Sequence, residues 1–326
     1  MEVVWVSAVA VQSGAVLQVR AEVATGLGAE PPHLPYRLLW DEHNTALYDR
    51  IREQPEYYLN RLEMQLLHAH SREVTADCGA RTLIELGSGT GEKALPLLRH
   101  LTAPATYLPV DVSTSALSRL TDRLRHASPS TSVHTVAADF TRPWPPALRE
   151  TGRRPALVTF LGSTLGNLLP GERHDLLALL AGSLEPGDGL LLGVPLLHDA
   201  QVMVSAYQDA AGLMEAFYLH CLRILNRDLG TNFDLDAYAH HVTWAAPEQR
   251  VEIGLRALAD QSVLIPGHPT SHRVLLPRGQ VLRAAVAVRF TAEQLDDELS
   301  AHGFETVRRL PDTSGRYMLL LARHQG

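Results

Sequence analysis

Cysteine is scarce in this chain of 326 residues, which contains only Cys78 and Cys221. The two lie far apart in sequence and show no metal-ligand spacing, so neither a disulfide framework nor a zinc site is predicted. The adjacent pair His240 and His241 would point to opposite sides of a strand or helix. We therefore expect no metal site and a reducing, cytoplasmic environment.

Excess basic charge and long apolar runs are also missing. The 29 Lys and Arg residues are outnumbered by 36 Asp and Glu, for a net charge of −7, so no nucleic-acid partner is expected. The apolar start, residues 1–19, has no positive n-region, is interrupted by Ser and Gln, and is too short to span a membrane. We expect no membrane partner, and we interpret residues 1–30 as a strand-like or poorly ordered N-terminal extension.

What the chain does have is a regular alternation of apolar strands and helical segments between residues 82 and about 200. The predicted strands are apolar on both faces: Thr82–Leu86, Ala105–Val110, Ser132–Ala137, Ala156–Leu161 and Gly189–Val194. Such runs, separated by helices, are typical of a parallel, doubly wound α/β sheet.

The pattern changes after residue 200. Residues 200–229 have the apolar spacing of one long amphipathic helix, and residues 250–290 alternate like strands. A capping box at Thr291 then opens a helix, and two further strands would complete the first sheet. We predict a Rossmann-like domain from residues 62–199 and 290–326, and an inserted α+β substrate-binding domain from residues 31–61 and 200–289.

The glycine turn in Glu85–Lys93, "ELGSGTGEK", follows the first of these strands. A phosphate loop would need Ser or Thr after the lysine, but Ala94 stands there. A dinucleotide site would need G-x-G-x-x-G, and the spacing here is G-x-G-x-G. The remaining reading is S-adenosylmethionine (SAM), whose ammonium and sulfonium favour acidic neighbours.

Acidic residues stand where that cofactor would need them. Glu85 precedes the turn, Asp111 ends the next strand and Asp139 ends the third, followed by Phe140. Asp111 can accept both ribose hydroxyls, Asp139 can meet the adenine amino group, and Phe140 can cover the ring. Glycines that only make a tight turn, with solvated acids, are the simpler alternative. Because the turn and three acids coincide at strand ends, we predict a class I SAM-dependent methyltransferase, with S-adenosylhomocysteine as product.

Four segments, taken together, resemble one family within the class I methyltransferases: Pro55–Arg61, Glu85–Lys93, Phe160–Pro170 and Asn226–Tyr238. From about residue 36 onward the chain resembles the histidine-specific α-N-methyltransferases of ergothioneine biosynthesis. The resemblance implies that Gly87, Lys93, Asp111, Asp139 and Phe140 bind the cofactor. Glu85 and Gly89, taken from the glycine turn itself, complete the predicted cofactor-binding set.

The same resemblance implies a clamp for the amino and carboxylate groups of a free amino acid. Its members match Gly162, Asn167 and Tyr207, of which Asn167 and Tyr207 are the candidate catalytic residues; Tyr57 joins the substrate-binding set. An amide can accept from an amine, and a phenol can donate to a carboxylate. Alone, Asn167 could be a helix N-terminal residue and Tyr207 a core aromatic.

The part of the pocket that reads the substrate's ring departs from the family pattern. The family has a tyrosine, a methionine, a glutamate and a serine where this chain has Trp40, Ile253, Ala285 and Ala287. On a regular strand Ala285 and Ala287 share one face, with Arg283 one step further along it. Lost polar partners should disfavour histidine and leave room for an apolar or aromatic side chain, with Trp40 and Tyr48 as aromatic walls. The alternative is that this face only packs against the long helix.

We therefore predict a SAM-dependent α-N-methyltransferase of a free L-amino acid, aromatic or apolar, acting up to the trimethylated betaine. The alternatives are an L-histidine α-N-methyltransferase with a repacked ring pocket and a non-catalytic SAM-binding regulatory protein. We expect a monomer or a weak homodimer.

Overall fold

A computed structural model of the protein describes residues 3–7, 13–128, 130–267 and 271–326. The chain divides into two compact units. Unit 1 comprises the described residues within 1–10, 59–197 and 289–326, and unit 2 those within 11–58 and 198–288. None of the described helices is both long and apolar enough to cross a membrane.

The strands and helices follow one another in a mixed order along the chain. The strands are β1 (Val3–Ser7), β2 (Thr82–Leu86), β3 (Thr106–Asp111), β4 (Ser132–Ala137), β5 (Ala156–Phe160), β6 (Gly189–Pro195), β7 (Tyr238–Ala245), β8 (Arg250–Ala257), β9 (Gln261–Ile265), β10 (His272–Leu276), β11 (Val281–Val288), β12 (Phe304–Pro311) and β13 (Tyr317–His324). The α-helices are α1 (Ser13–Leu27), α2 (Glu42–Ile51), α3 (Tyr58–Cys78), α4 (Ala94–Leu98), α5 (Thr114–Ala127), α6 (Pro146–Glu150), α7 (Pro170–Ala181), α8 (Ala200–Ser205), α9 (Leu213–Leu229) and α10 (Ala292–Ser300). Short 3-10 helices span Tyr36–Leu39, Thr164–Asn167 and Leu235–Ala237.

Unit 1 is built on an eight-stranded sheet in the order β1-β4-β3-β2-β5-β6-β13-β12. The first six strands of that order pair in parallel, and β13 and β12 add antiparallel neighbours at one edge. All five residues of β2 are buried, as the apolar pattern on both faces requires. The predicted doubly wound α/β fold is confirmed. The strand order reverses between β2 and β5, and such sheets bind ligands at this switch point, beyond the carboxyl ends of the strands.

Unit 2 contains a three-stranded antiparallel sheet, β11-β8-β7, and the two-stranded ribbon β9-β10. Helix α9 packs against β7 and β8 and also against α2. The residues of α9 that repeat at helical spacing are buried, including Phe217, Cys221 and Leu225. Unit 2 is therefore a small α+β unit whose helix covers part of one sheet face.

The single long helix predicted for residues 200–229 is wrong, because the segment is broken between α8 and α9. Helix α8 ends at Ser205, and Gly212, directly before α9, has φ +70°, a left-handed conformation that a continuous helix would not contain and that suits glycine. The carboxylate of Asp209 then accepts the backbone N–H groups of Leu213 and Met214, both at 2.7 Å, and so starts α9 afresh. Tyr207 consequently lies just after α8 and not on the long helix.

The prediction that Arg283 shares a strand face with Ala285 and Ala287 is also wrong. Arg283 pairs with Gly254 and Ala285 pairs with the adjacent Ile253, so β11 has a bulge between residues 283 and 285. The inserted residue turns Arg283 to the opposite face. There its guanidinium lies 3.7 Å from the carboxylate of Glu252.

The N-terminal extension contains two elements that the sequence did not identify individually. β1 pairs in parallel with β4, Val3 with Val133 through Ser7 with Ala137, and lies at the edge of the large sheet. The helix α1 belongs to unit 2.

Candidate functional site

The glycine turn between β2 and α4 has a left-handed backbone at three positions. Gly87, Gly89 and Gly91 have φ values of +70°, +51° and +70°. A Cβ on Gly91 would lie 2.7 Å from Cγ of Leu120, so glycine there permits close approach of α5, whereas a Cβ on Gly89 would meet nothing within 4 Å. The turn therefore presents open backbone at its centre and is packed tightly at its end.

Asp111, the last residue of β3, is tied to this turn. Its Oδ2 accepts the backbone N–H of Gly89 at 2.8 Å, and its Oδ1 accepts that of Ser113 at 2.8 Å. Burial raises the pKa of Asp111, and the backbone N–H groups of Ser113, Gly89 and Val112 partly offset the rise. Each carboxylate oxygen keeps a second lone pair, so the side chain can still accept hydrogen bonds from a ligand.

Glu85 lies beneath the turn and is 2 % exposed. It accepts the hydroxyl proton of Tyr107, which is itself fully buried. Burial raises the pKa of Glu85 to about 7, against the lowering effects of the Tyr107 hydrogen bond and of Lys93. The carboxyl can therefore change protonation state near neutral pH.

Asp139 and Phe140 follow β4 on the same edge of the sheet. Oδ1 of Asp139 accepts from both the backbone N–H of Thr141 at 2.9 Å and its hydroxyl at 2.6 Å. The ring of Phe140 packs edge-to-face on Phe160, with centroids 5.2 Å apart, and would lie 3.6 Å from a Cβ on Gly87. The aromatic ring is thus placed beside the glycine turn.

These residues fit SAM on chemical grounds. The carboxyl groups of Glu85, Asp111 and Asp139 suit a cofactor that carries an ammonium and a sulfonium. The hydroxyl of Ser88, in the turn, is buried and has no hydrogen-bond partner within the described part of the chain, which leaves a donor and acceptor for a ligand. Within the same part of the chain no three His, Cys, Asp or Glu side chains group as a metal site.

Lys93, predicted to contact the cofactor, forms an ion pair with a residue that the sequence analysis missed. Its Nζ lies 2.6 Å from Oε2 of Glu63, whose side chain is 1 % exposed. Glu63 stands four residues after Leu59 and four before Leu67, on the buried stripe of α3. An acid in the middle of an apolar helical stripe was the available signal.

The loop after β5 contains two of the predicted clamp residues. Gly162 and the following Ser163 are both left-handed, with φ of +82° and +62°, and the 3-10 helix Thr164–Asn167 ends on the second clamp residue. The backbone N–H of Gly162 donates to Oε1 of Glu63 at 2.7 Å. Gly162 and Asn167 thus lie on one short loop at the carboxyl end of a parallel strand.

Unit 2 brings four of the predicted substrate residues into one aromatic cluster. Ring centroids are 5.2 Å apart for Trp40 and Tyr48, 6.1 Å for Tyr48 and Tyr57, and 6.2 Å for Tyr57 and Tyr207. The hydroxyls of Tyr48 and Tyr57 are 3.3 Å apart. Burial, together with the neighbouring phenols, raises the pKa of Tyr57 well above its ordinary value, so the Tyr57 hydroxyl stays protonated.

The other three predicted substrate residues meet on the sheet of unit 2. Ala285 pairs with Ile253, and Ala285 and Ala287 lie on the same face at 7 % and 2 % exposure. His240 lies on this face too, because it pairs with Leu255, which is two residues from Ile253 on the same strand. The ring of His240 stacks on that of Tyr218 of α9, with ring centroids 5.5 Å apart. At β7, therefore, the face packs against the helix.

Comparison with known proteins gives the family. Residues 19–324 match the family described as histidine-specific methyltransferase, SAM-dependent. The chain is 38% identical to the histidine N-alpha-methyltransferase of Mycobacterium tuberculosis (strain CDC 1551 / Oshkosh), over 94% of this chain and 95% of that protein. It is also 38% identical to the histidine N-alpha-methyltransferase of Mycolicibacterium smegmatis, over 93% and 94% of the two chains.

Comparison with solved structures bears on the fold alone. A crystal structure of a SAM-dependent methyltransferase from Clostridium acetobutylicum superposes with a TM-score of 0.50 at 12% sequence identity, over 86% of this chain and 98% of that one. The predicted enzyme class and the predicted cofactor are confirmed, as is the resemblance drawn from the sequence motifs. The chain belongs to the family of SAM-dependent, histidine-specific methyltransferases.

Proposed function

We propose that this enzyme methylates the α-amine of free L-histidine, as a step of ergothioneine biosynthesis. The observation that carries the proposal is the match to histidine N-alpha-methyltransferases at 38% identity over nearly the whole of both chains. This reverses the order given by the sequence analysis, which put an aromatic or apolar amino acid first. The family match supports histidine better.

The proposed clamp holds the two groups that all free amino acids share. Asn167 would accept from the amine, and the phenol of Tyr207 would donate to the carboxylate. The N–H of Gly162 already donates to Glu63, so Gly162 would contribute its backbone carbonyl, as an acceptor for the amine. The left-handed backbone at Gly162 supports this assignment, because it turns the chain sharply at the carboxyl end of β5. The assignment predicts dependence on a free carboxylate.

When bound, SAM supplies a methyl group made electrophilic by its sulfonium. The residues proposed to hold it are those around the glycine turn: Glu85, Gly87, Gly89, Lys93, Asp111, Asp139 and Phe140. The protein's task in such a displacement is to align the amine nitrogen with the methyl group and to exclude water. The amine must also lose its proton, and the route we propose runs to solvent past Asn167 or Tyr207.

An aromatic amino acid is the second candidate substrate. It is favoured by the apolar character of Ile253, Ala285 and Ala287, which offer an imidazole ring no side-chain hydrogen-bond partner. Trp40 and Tyr48 could stack against an indole or phenol ring. Under either candidate, repeated transfer to one nitrogen would give the trimethylated betaine.

The test compares kcat/KM for histidine, tryptophan and tyrosine in one assay. We expect the highest value for histidine, and a clear preference for tryptophan would reject histidine in favour of the second candidate. The double variant Ala285→Glu/Ala287→Ser should raise histidine's advantage about 10-fold or more, the scale of one or two recovered polar contacts. Val286→Thr, on the opposite face of the same strand, is the matched control and should leave the ratio unchanged.

Counting the methyl groups in the product by mass spectrometry tests the betaine. A product that stops at one methyl group under excess SAM would contradict repeated transfer.

A further inference from the structure

Glu63 is a fully buried carboxylate to which the reaction as described assigns no role. The residue is 0 % exposed and lies on α3, where its neighbours along the buried stripe are leucines. An ionised carboxylate is expensive to bury unless ion pairs and hydrogen bonds compensate it. The groups that pair with the Glu63 carboxylate therefore indicate the role of its charge.

Three separate segments of unit 1 converge on this one carboxylate. Oε2 forms an ion pair with Lys93, which follows the glycine turn, and lies 2.6 Å from its Nζ. Oε1 accepts the backbone N–H of Gly162 at 2.7 Å and the hydroxyl of Tyr317, on β13, at 2.7 Å. Ser163 continues the network, since its hydroxyl lies 3.3 Å from that of Tyr317.

The volume around the carboxylate is shaped by two glycines. A Cβ on Gly193 of β6 would overlap the carboxylate of Glu63 and lie 2.9 Å from the Tyr317 hydroxyl. A Cβ on Gly162 would lie 3.0 Å from Nζ of Lys93, and its φ of +82° is strained for any other residue. The network and the loop that it touches are thus fitted to one another.

The loop of residues 161–167 needs such an anchor because its backbone is locally unfavourable. Two successive left-handed residues occur in it, and the second, Ser163, is not a glycine. A charge-assisted hydrogen bond to the N–H of Gly162 holds the turn at its first left-handed residue. Asn167 lies five residues further on, at the end of the short 3-10 helix.

We propose that Glu63 is a positioning residue that fixes the 161–167 loop, and through it Asn167, for binding of the amino-acid substrate. The inference rests on the proposed function of Gly162 and Asn167 as substrate clamp. Through Lys93, the same carboxylate joins this loop to the glycine turn that is assigned to the cofactor. Glu63 acts through these groups and does not itself contact the reacting atoms.

The test variant is Glu63→Gln, which keeps the side chain's shape and removes its charge. The amide leaves the Lys93 ammonium facing a neutral group, and it is a weaker acceptor for the Gly162 N–H. We expect the KM for the amino acid to rise about 10-fold or more, while the dissociation constant for SAM, measured by calorimetry, changes less than about 3-fold. Hydrogen–deuterium exchange of the peptide spanning 161–168 should quicken.

Asp188→Asn is the matched control. Asp188 is 1 % exposed, ion-paired with Arg154, and accepts the backbone N–H of Ala156 at 2.8 Å, at the opposite end of β5. Asp188→Asn should lower the free energy of unfolding, but it should change neither the KM for the amino acid nor the hydrogen–deuterium exchange of the 161–168 peptide. An equal effect of both variants on KM would mean that Glu63 acts only through stability, and would overturn the proposal.

Tyr317→Phe provides a second, milder variant should Glu63→Gln fail to fold. It removes one donor to Oε1 and the contact with Ser163, and it should raise both KM and loop exchange by a smaller factor. Wild-type values for KM and exchange in the folded variants would reject the positioning role. If the wild-type enzyme methylates no free amino acid, the proposed function fails, while the exchange measurement still decides whether Glu63 orders the loop.

Discussion

The buried carboxyl of Glu85 should give the enzyme a pH-dependent stability that one isosteric substitution removes. Burial raises the pKa of Glu85 to about 7 in the folded protein, from its ordinary value of 4.5. At 1.36 kcal/mol per pH unit, this rise corresponds to about 3 kcal/mol. The predicted perturbation is Glu85→Gln, which keeps an oxygen to accept from Tyr107 but cannot ionise.

The sign follows from where the proton is held. Below pH 4.5 both the folded and unfolded states carry the proton, and Glu85 contributes no pH dependence. Between pH 4.5 and about 7 the unfolded chain loses the proton first, so the free energy of unfolding falls as pH rises. Above pH 7 the full penalty is present and constant. The buried amide of the variant changes the free energy of unfolding by an amount that does not depend on pH.

The assay is urea unfolding of the cofactor-free wild type and variant at several pH values between 4.5 and 8. The difference between their free energies of unfolding should change by about 3 kcal/mol across this range, in the direction that favours the variant at high pH. Contributions from the other titratable groups are common to both proteins and cancel in the difference. Parallel pH profiles for the two proteins would refute the argument that burial shifts this carboxyl.

Two further predictions follow from the contacts of single carboxylates. Asp111→Ala should weaken SAM binding by about 1.5–3 kcal/mol in calorimetry, the range for charge-assisted hydrogen bonds, while Asp122→Ala on the exposed side of α5 should not. An unchanged affinity in the Asp111 variant would reject its assignment to the cofactor. Asp209→Ala should lower the free energy of unfolding by about 1–2 kcal/mol, because the first N–H groups of α9 lose their acceptor. Asp209→Asn, whose single amide oxygen can replace only one of the two accepting carboxylate oxygens, should lower it by about half as much. Equal losses in the two Asp209 variants would contradict this capping role.

The features that the sequence predicted well depend on local patterns. β2 and β4 have the predicted bounds, because an apolar run flanked by turn residues is visible in the residues themselves. The glycine turn, the strand end at Asp111 and the position of Asp139 just after β4 were predicted for the same reason, since spacing along the chain fixes which residues follow a parallel strand. The family motifs likewise lie in short continuous segments.

The features that the sequence analysis missed or placed wrongly have other causes. The hydrogen bond from Tyr107 to Glu85 and the ion pair of Glu63 with Lys93 join residues far apart in sequence, and no local pattern specifies such partners. The break at Gly212 overrode an apolar helical spacing that continued across it, and the bulge after Arg283 reversed a face assignment made by simple alternation. Local periodicity was thus enough to predict the order of strands and turns and the acids that follow them. Which buried charges meet, and which way individual side chains face, became visible only in the folded chain, because burial, packing and single inserted residues set those outcomes.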